Sequence, residues 1–181
     1  ANLYSLGGNI NIGDGSDLTL QGAGTVNNGH TLTVLNTADT IISGDLSLGT
    51  TGITLNAIGG TLTLSGNNAY SGTTTITNGT LIVSSNTGLG NSSSASVASG
   101  AVLHLNGVSV ATNIPLTLNG TGISSGGALT ASGTASYAGD ITLNSTSSIN
   151  GGAGTLTLGG DIDGVGGLSS IGAGTLLISG N

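Results

Sequence analysis

The chain contains no cysteine, lysine, arginine, methionine, tryptophan or phenylalanine, and a single proline, Pro115, among its 181 residues. Without cysteine there are no disulfides and no thiolate metal centres, which suits a protein that crosses a narrow export pore unfolded. The seven acids are all aspartate, at Asp14, Asp17, Asp39, Asp45, Asp140, Asp161 and Asp163, and with no basic side chain to balance them the net charge is −7. That excludes the phosphate contacts on which nucleic-acid binding depends, and it disfavours an anionic membrane surface. It also leaves trypsin-like proteases nowhere to cut. Both deficits point to the extracellular side. Gly, Thr, Ser or Asn interrupts every apolar run before it reaches the length of a membrane helix. The first residues lack the basic-then-apolar pattern of a signal peptide, as expected of a mature chain or a fragment.

Three tyrosines are the whole aromatic complement. Thick globular cores draw on large aromatics for buried area, so the composition implies a thin interior of stacked Ala, Val, Leu and Ile. Glycine is abundant, at 36 residues. Disordered chains, however, are highly charged and poor in β-branched residues. Here only 4% of residues are charged and the mean hydropathy is +0.35, so ordered structure is expected.

Short alternating segments fill that order. Asn9-Ile10-Asn11-Ile12, Asp17-Leu18-Thr19-Leu20, Thr31-Leu32-Thr33-Val34, Asp45-Leu46-Ser47-Leu48 and Gly52-Ile53-Thr54-Leu55 each alternate polar and apolar residues between turn formers. So do Val102 to Leu105, Leu116 to Leu118, Ile141 to Leu143, Thr155 to Leu158 and Thr175 to Ile178. Strands place successive side chains on opposite faces, and no segment has the helical period. In the stretch Gly60 to Val83, Leu62, Leu64, Ile76, Leu81 and Val83 then point inward, and Thr61, Thr63, Thr75, Thr77 and Ile82 outward.

Internal repetition selects among all-β folds. Gly152-Ala153-Gly154-Thr155-Leu156 returns as Gly172-Ala173-Gly174-Thr175-Leu176, with a third copy at Gly22-Ala23-Gly24-Thr25-Val26. Gly60, Leu62, Thr63, Ser65, Gly66, Tyr70 and Gly72 are matched by Gly127, Leu129, Thr130, Ser132, Gly133, Tyr137 and Gly139, an offset of 67. Leu18, Leu32 and Leu46 are 14 residues apart. A 20-residue step approximates one coil of a β-solenoid and 67 residues about three. The competing reading is a set of hairpins turning at Asn28-Gly29, Asn78-Gly79, Asn106-Gly107, Asn119-Gly120 and Asn150-Gly151, since Asn-Gly is a favoured hairpin turn. The segments after these turns do not mirror those before them, and both residues equally suit solenoid corners. The expected architecture is two or three parallel sheets in roughly eight or nine coils, about 40 Å long. Interior Leu, Ile and Val would form ladders, outward Thr and Ser polar ladders, and Asn would stack at corners.

From Gly60 to Gly107 the sequence resembles the autotransporter-associated β-strand repeat, or passenger-associated transport repeat. The residues that carry the likeness are Gly60-Thr61-Leu62-Thr63-Leu64-Ser65-Gly66-Asn67-Asn68, Tyr70-Ser71-Gly72, Thr75-Ile76 and Asn78-Gly79-Thr80-Leu81-Ile82-Val83, continued by Gly88-Leu89-Gly90 and Val102 to Leu105. Weaker copies lie at Gly127 to Gly139, Gly154 to Gly160 and Gly174 to Asn181. The resemblance implies a right-handed parallel β-helix in the passenger of a bacterial surface protein. Such passengers are exported through a C-terminal β-barrel that this stretch does not include, and the family brings no catalytic residues. Residues 1–181 are expected to be one solenoid segment. Joining Ser179-Gly180-Asn181 to Ala1-Asn2-Leu3-Tyr4-Ser5 approximates Ser65 to Ser71, which would fit a longer array.

No catalytic, cofactor-binding or metal-ligating residue is expected. Asp14-Gly15-Ser16-Asp17 and Asp161-Ile162-Asp163-Gly164 contain fragments of calcium loops, and the first resembles a calcium-binding nonapeptide, but neither is tandem, so solvated loop acids are the better reading. His30 and His104 have no acid or serine constellation beside them in sequence. Sugar cleavage would need carboxylates with charge-stabilising partners, and no Lys or Arg exists to supply them. Thr73-Thr74-Thr75-Ile76-Thr77 and the Thr-Leu-Thr-Leu segments suggest an ice-binding array, but their irregular spacing leaves β-propensity as sufficient cause. Asn78, Asn91, Asn119 and Asn144 begin Asn-x-Ser/Thr triplets, expected by chance in this composition and unmodified in a bacterial protein. The open readings are a stalk or scaffold of an adhesin, a binding module using Ser84 to Ser99 and Ser109 to Gly127, and a self-assembling fibre.

Overall fold

The structure, a computed structural model, describes residues 4–6, 10–13, 15–22, 24–26 and 30–180. Asp14, Ala23, Asn28-Gly29 and the joined ends Ala1 to Leu3 and Asn181 lie outside the described residues.

Every strand pairing among the described residues is parallel, which rules out the hairpin reading there. The chain winds as a β-solenoid of about 8 turns. The first sheet stacks Ile10–Ile12, Leu32–Val34, the start of Ile53–Leu64, the start of Thr74–Val83, Ala95–Val97, Leu116–Leu118, Ile141–Leu143 and Ile162–Gly164. The second stacks Leu18–Leu20, Asp39–Ile42, the ends of Ile53–Leu64 and Thr74–Val83, Ala101–Asn106, Leu129–Ser132, Ser147–Asn150 and Leu168–Ile171. The third is interrupted: Tyr4–Leu6, Gly24–Val26 and Leu46–Ser47 pair at one end, Ser109–Val110, Thr134–Tyr137, Thr155–Leu158 and Thr175–Ile178 at the other.

The repeats fall where this winding puts them. Thr155 pairs with Thr175 and Leu156 with Leu176, so the 20-residue step is one coil. Leu62, Leu81, Leu103 and Leu129 are successive rungs, separated by 19, 22 and 26 residues, which makes the 67-residue offset three coils. The 14-residue step is a different thing. Leu18, Leu32 and Leu46 lie on the second, first and third sheets, so it measures the passage from one face to another.

Inward residues pack into ladders down the axis. Leu32, Ile53, Ala95, Leu116 and Ile141 form one, and Val34, Leu55, Ile76, Val97, Leu118 and Leu143 the next, all buried. The interior is less purely aliphatic than composition suggests. Tyr70 and Tyr137 are its largest fully buried side chains. Thr74, two residues before inward Ile76, occupies an inward rung between Ile53 and Ala95. Tyr70 makes that tolerable, because its hydroxyl lies 3.0 Å from Thr74 Oγ1, which lies 2.8 Å from Ser92 Oγ, which donates to the Leu89 carbonyl at 2.7 Å. Each hydroxyl has one proton, so the chain of donors runs from Tyr70 through Thr74 and Ser92 to Leu89. Tyr137 donates to the Ile114 carbonyl at 2.9 Å.

Corners require glycine where coils approach closely. A Cβ at Gly60 would overlap the Asn36 carbonyl oxygen of the coil before it. At Gly79 the corner takes φ +86°, open to glycine and strained for other residues. Asn56 and Asn78 stack beside that corner, with Asn78 Nδ2 donating to Asn56 Oδ1 at 2.7 Å.

Two outcomes test the core. Leu81→Ala should cost about 2–5 kcal/mol, the range for a buried leucine cavity, whereas Thr63→Ala on the outer face should cost under ~1 kcal/mol, both read from urea denaturation. Burial pushes the Tyr70 hydroxyl up to about 12 and raises Tyr137 further. The unfolded chain therefore loses these protons first. The stability from the neutral phenols is full below the ordinary value and declines as pH rises above ~10. Tyrosinate absorbance from Tyr70 and Tyr137 should lag an ordinary phenol titration against alkaline pH and appear only together with loss of the β-sheet circular dichroism signal.

Candidate functional site

The positions with chemical potential are the aspartates, the histidines, the polar corners and the outer faces. Each aspartate whose partner is known is used to tie one coil to the next. Asp17 Oδ1 accepts the Asp39 amide at 3.2 Å, Asp39 Oδ1 accepts Thr61 Oγ1 at 2.7 Å, Asp45 Oδ1 accepts the Asn67 amide at 2.7 Å, and Asp140 Oδ1 accepts the Asp161 amide at 3.1 Å. Partners 21 or 22 residues on are the residues one rung away. The carboxylates replace a missing inter-coil bond at corners. Among the described residues no three His or Asp side chains converge to hold a metal ion.

His104 is half-buried on the outer face of the second sheet. Its Nδ1 lies 2.7 Å from Thr130 Oγ1 and its Nε2 3.2 Å from Ser132 Oγ, both one rung on. Ser132 Oγ donates to Asn106 Oδ1 at 2.9 Å, and Asn106 Nδ2 donates to Ser84 Oγ at 3.1 Å. That order fixes the imidazole. Because the serine proton is committed to Asn106, Nε2 carries a hydrogen and donates, while Nδ1 accepts from Thr130. A nucleophilic serine needs the opposite arrangement, with the imidazole accepting its proton. The cluster is a cross-rung brace that the sequence did not disclose, since Thr130 and Ser132 are 26 and 28 residues from the histidine. His30 is partly buried and belongs to no such cluster.

The asparagines divide into two kinds, and the buried kind was missed in sequence. Asn36 Oδ1 accepts the amides of Gly15 and Ala38, and its Nδ2 donates to the Ser16 carbonyl and Thr40 Oγ1. Asn68 Oδ1 accepts the Leu46 amide at 3.0 Å from the coil before, and its Nδ2 donates to the Gly88 carbonyl at 2.6 Å in the coil after. Both are buried. They satisfy backbone groups that a turning chain cannot pair with its neighbour. Only their place next to a small residue in a repeated corner could have signalled this.

Of the two proposed binding loops, Ser84 to Ser99 is mostly wall: Gly88, Leu89, Gly90 and Ser92 are buried, and Ala95–Val97 is a rung. Within Ser109 to Gly127, residues 119–127 form a turn whose residues 123–126 are exposed. They contain a single 3-10 turn, Ile123–Ser125, with Ile123 exposed and Ser124 and Ser125 at φ 49° and 60°. Recesses at the two ends of the described solenoid are lined by Ile12, Asp17 and Leu18 at one and by Leu143, Ile162, Leu168 and Ile178 at the other, where interior ladders meet solvent.

Burial holds the His104 imidazole below its ordinary value. The unfolded histidine therefore binds a proton first as pH falls. The stability tied to neutral His104 is complete above ~6.5 and is lost as pH drops through that value. Urea midpoints should decline between about pH 7.5 and 5, and His104→Gln should remove most of that slope.

No curated protein and no solved structure matches the chain. One family model does. It covers residues 59–83, the stretch that holds the Gly60 close approach, the Asn68 clamp, buried Tyr70 and the Gly79 corner, and the repeat to which the chain is thereby similar is the passenger-associated-transport-repeat.

Proposed function

We propose that the chain is a rigid, non-catalytic spacer in the passenger of a secreted bacterial surface protein, holding other parts of that protein away from the cell as a stalk or adhesin scaffold. The observation that carries this reading is the continuity of the first sheet. Its strands keep parallel register from Ile10–Ile12 to Ile162–Gly164 without a change of interior, so that length depends only on the number of rungs. The match to a passenger repeat at residues 59–83 supports the setting. The absence of cysteine and of basic residues fits export and exposure to proteases. The hydroxyl-rich outer faces and the commitment of Asp17, Asp39, Asp45, Asp140 and His104 to inter-coil bonds support a mechanical role.

End-to-end assembly into fibres is a second reading, favoured by Leu177 and Ile178, which are half-exposed on the last described rung. Open strand edges invite pairing with another chain. Concentration-dependent filaments of the purified chain would support it.

The spacer reading predicts modular length. Duplicating residues 74–115, two coils by the register Thr74–Ala95–Leu116, should give a folded protein longer by ~10 Å in small-angle scattering, at one strand spacing per coil. An insertion that unfolds the chain, or folds without lengthening it, would count against a uniform spacer. An antibody to the chain should label intact source cells, and labelling only after permeabilisation would remove the surface setting.

A further inference from the structure

The outer face of the first sheet carries a row that the sequence does not display. Pairing places Thr33, Thr54, Thr75, Ser96, Thr117 and Thr142 in register on six successive rungs. Five of them are spaced 21 residues apart, and Thr142 follows after 25. The irregular spacing that seemed to exclude an ordered threonine array belongs to the corners and to the second sheet. On this face it disappears.

Three properties of the row go beyond strand preference. First, its composition is selective. The corresponding row of the second sheet reads Thr19, Ile41, Thr63, Ile82, His104, Thr130, Asn150 and Ile171, the mixture expected when any β-former will serve. The corresponding eight positions of the first sheet run from Asn11 to Asp163 and carry a hydroxyl at the six inner rungs, with no Val or Ile. Second, all six side chains are partly exposed, and among the described residues none of their hydroxyls bonds to another protein group. Threonine is stiff at χ1, so identical backbone settings hold the hydroxyls in like orientation at the rung spacing of about 4.8 Å. Third, the six rungs are uncharged. On one side they are flanked by Thr31, Gly52, Thr73, Ser94 and Pro115, on the other by Leu35, Asn56, Thr77, Ala98 and Asn119; acids come at one end, where Asp140 and Asp161 stand in the flank and Asp163 continues the row.

A ladder whose rungs are equivalent cannot fix the position of a small ligand. It can match a surface that repeats as it does. The face lacks the aromatic side chains that give sugars a stacking platform, and lacks the Tyr, Trp and Arg anchors of a protein interface. What remains compatible is a neutral lattice of hydrogen-bonding oxygens. We propose that this face binds ice, with the Thr33-to-Thr142 hydroxyls and the water ordered between their methyl groups merging with the crystal lattice. The rigid solenoid supplies the preorganisation that lets many weak, equal contacts add.

The purified chain should enter a growing ice front and show thermal hysteresis. Thr75→Tyr, which raises a bulky group in mid-row, and Thr75→Val, which keeps the shape and removes one hydroxyl, should each lower the hysteresis several-fold with circular dichroism and melting temperature preserved. Thr63→Tyr, at the equivalent place on the second sheet, should leave it unchanged. Exclusion of the parent chain from ice overturns the proposal, and so does an equal loss in Thr63→Tyr. Retention on crystalline cellulose without ice uptake would overturn it in favour of a polysaccharide lattice.

Discussion

Everything in this solenoid depends on one constraint: along its strands, the backbone amides and carbonyls of a coil have only the adjacent coils as partners. A parallel sheet wound on itself satisfies them along each face, as in the register Leu32–Ile53–Thr74–Ala95–Leu116. The corners break that register, and it is there that side chains are enlisted. Asn36 and Asn68 supply buried amides, Asp17, Asp45 and Asp140 supply carboxylate acceptors, and Gly60 removes a Cβ so that two backbones can meet. Polar residues that look like scattered decoration in the linear sequence are the means by which the winding stays closed.

The same constraint accounts for the interior. A thin core with few atoms per rung draws stability from repetition of small contacts, and a polar residue inside it must be answered within the core. Thr74 is answered by Tyr70 and Ser92, whose hydroxyls pass one hydrogen bond to the next until it ends on a carbonyl. Tyr137 recurs three coils later with its own carbonyl acceptor at Ile114. Tyr70 and Tyr137 are thus fully buried with their hydroxyls paired, and burial raises the pKa of both.

Function follows from what is left over once these demands are met. Asp17, Asp39, Asp45, Asp140 and His104 are committed to bonds between rungs, and the His104 tautomer set by Ser132 and Asn106 runs against nucleophilic chemistry. Free chemical capacity is found instead on the outer face of the first sheet, where among the described residues six neutral hydroxyls repeat without protein partners. A passenger spacer needs only the rod. The hydroxyl row of the first sheet gives that rod a face with its own periodicity.

Alternation of apolar and polar residues by itself determined that the chain is all-β, because a strand buries every second side chain, and the 20- and 67-residue echoes determined that it winds. The motif at residues 59–83 was legible for the same reason: glycine, asparagine and tyrosine recur there at spacings that corners impose. Which residues meet across rungs was decided only by the tertiary structure, because corner lengths vary and the steps between Leu62, Leu81, Leu103 and Leu129 differ while the first sheet holds its own 21-residue spacing. For that reason the His104 brace and the six-rung hydroxyl row were invisible along the chain. Register is a property of stacked coils, and no single coil contains it.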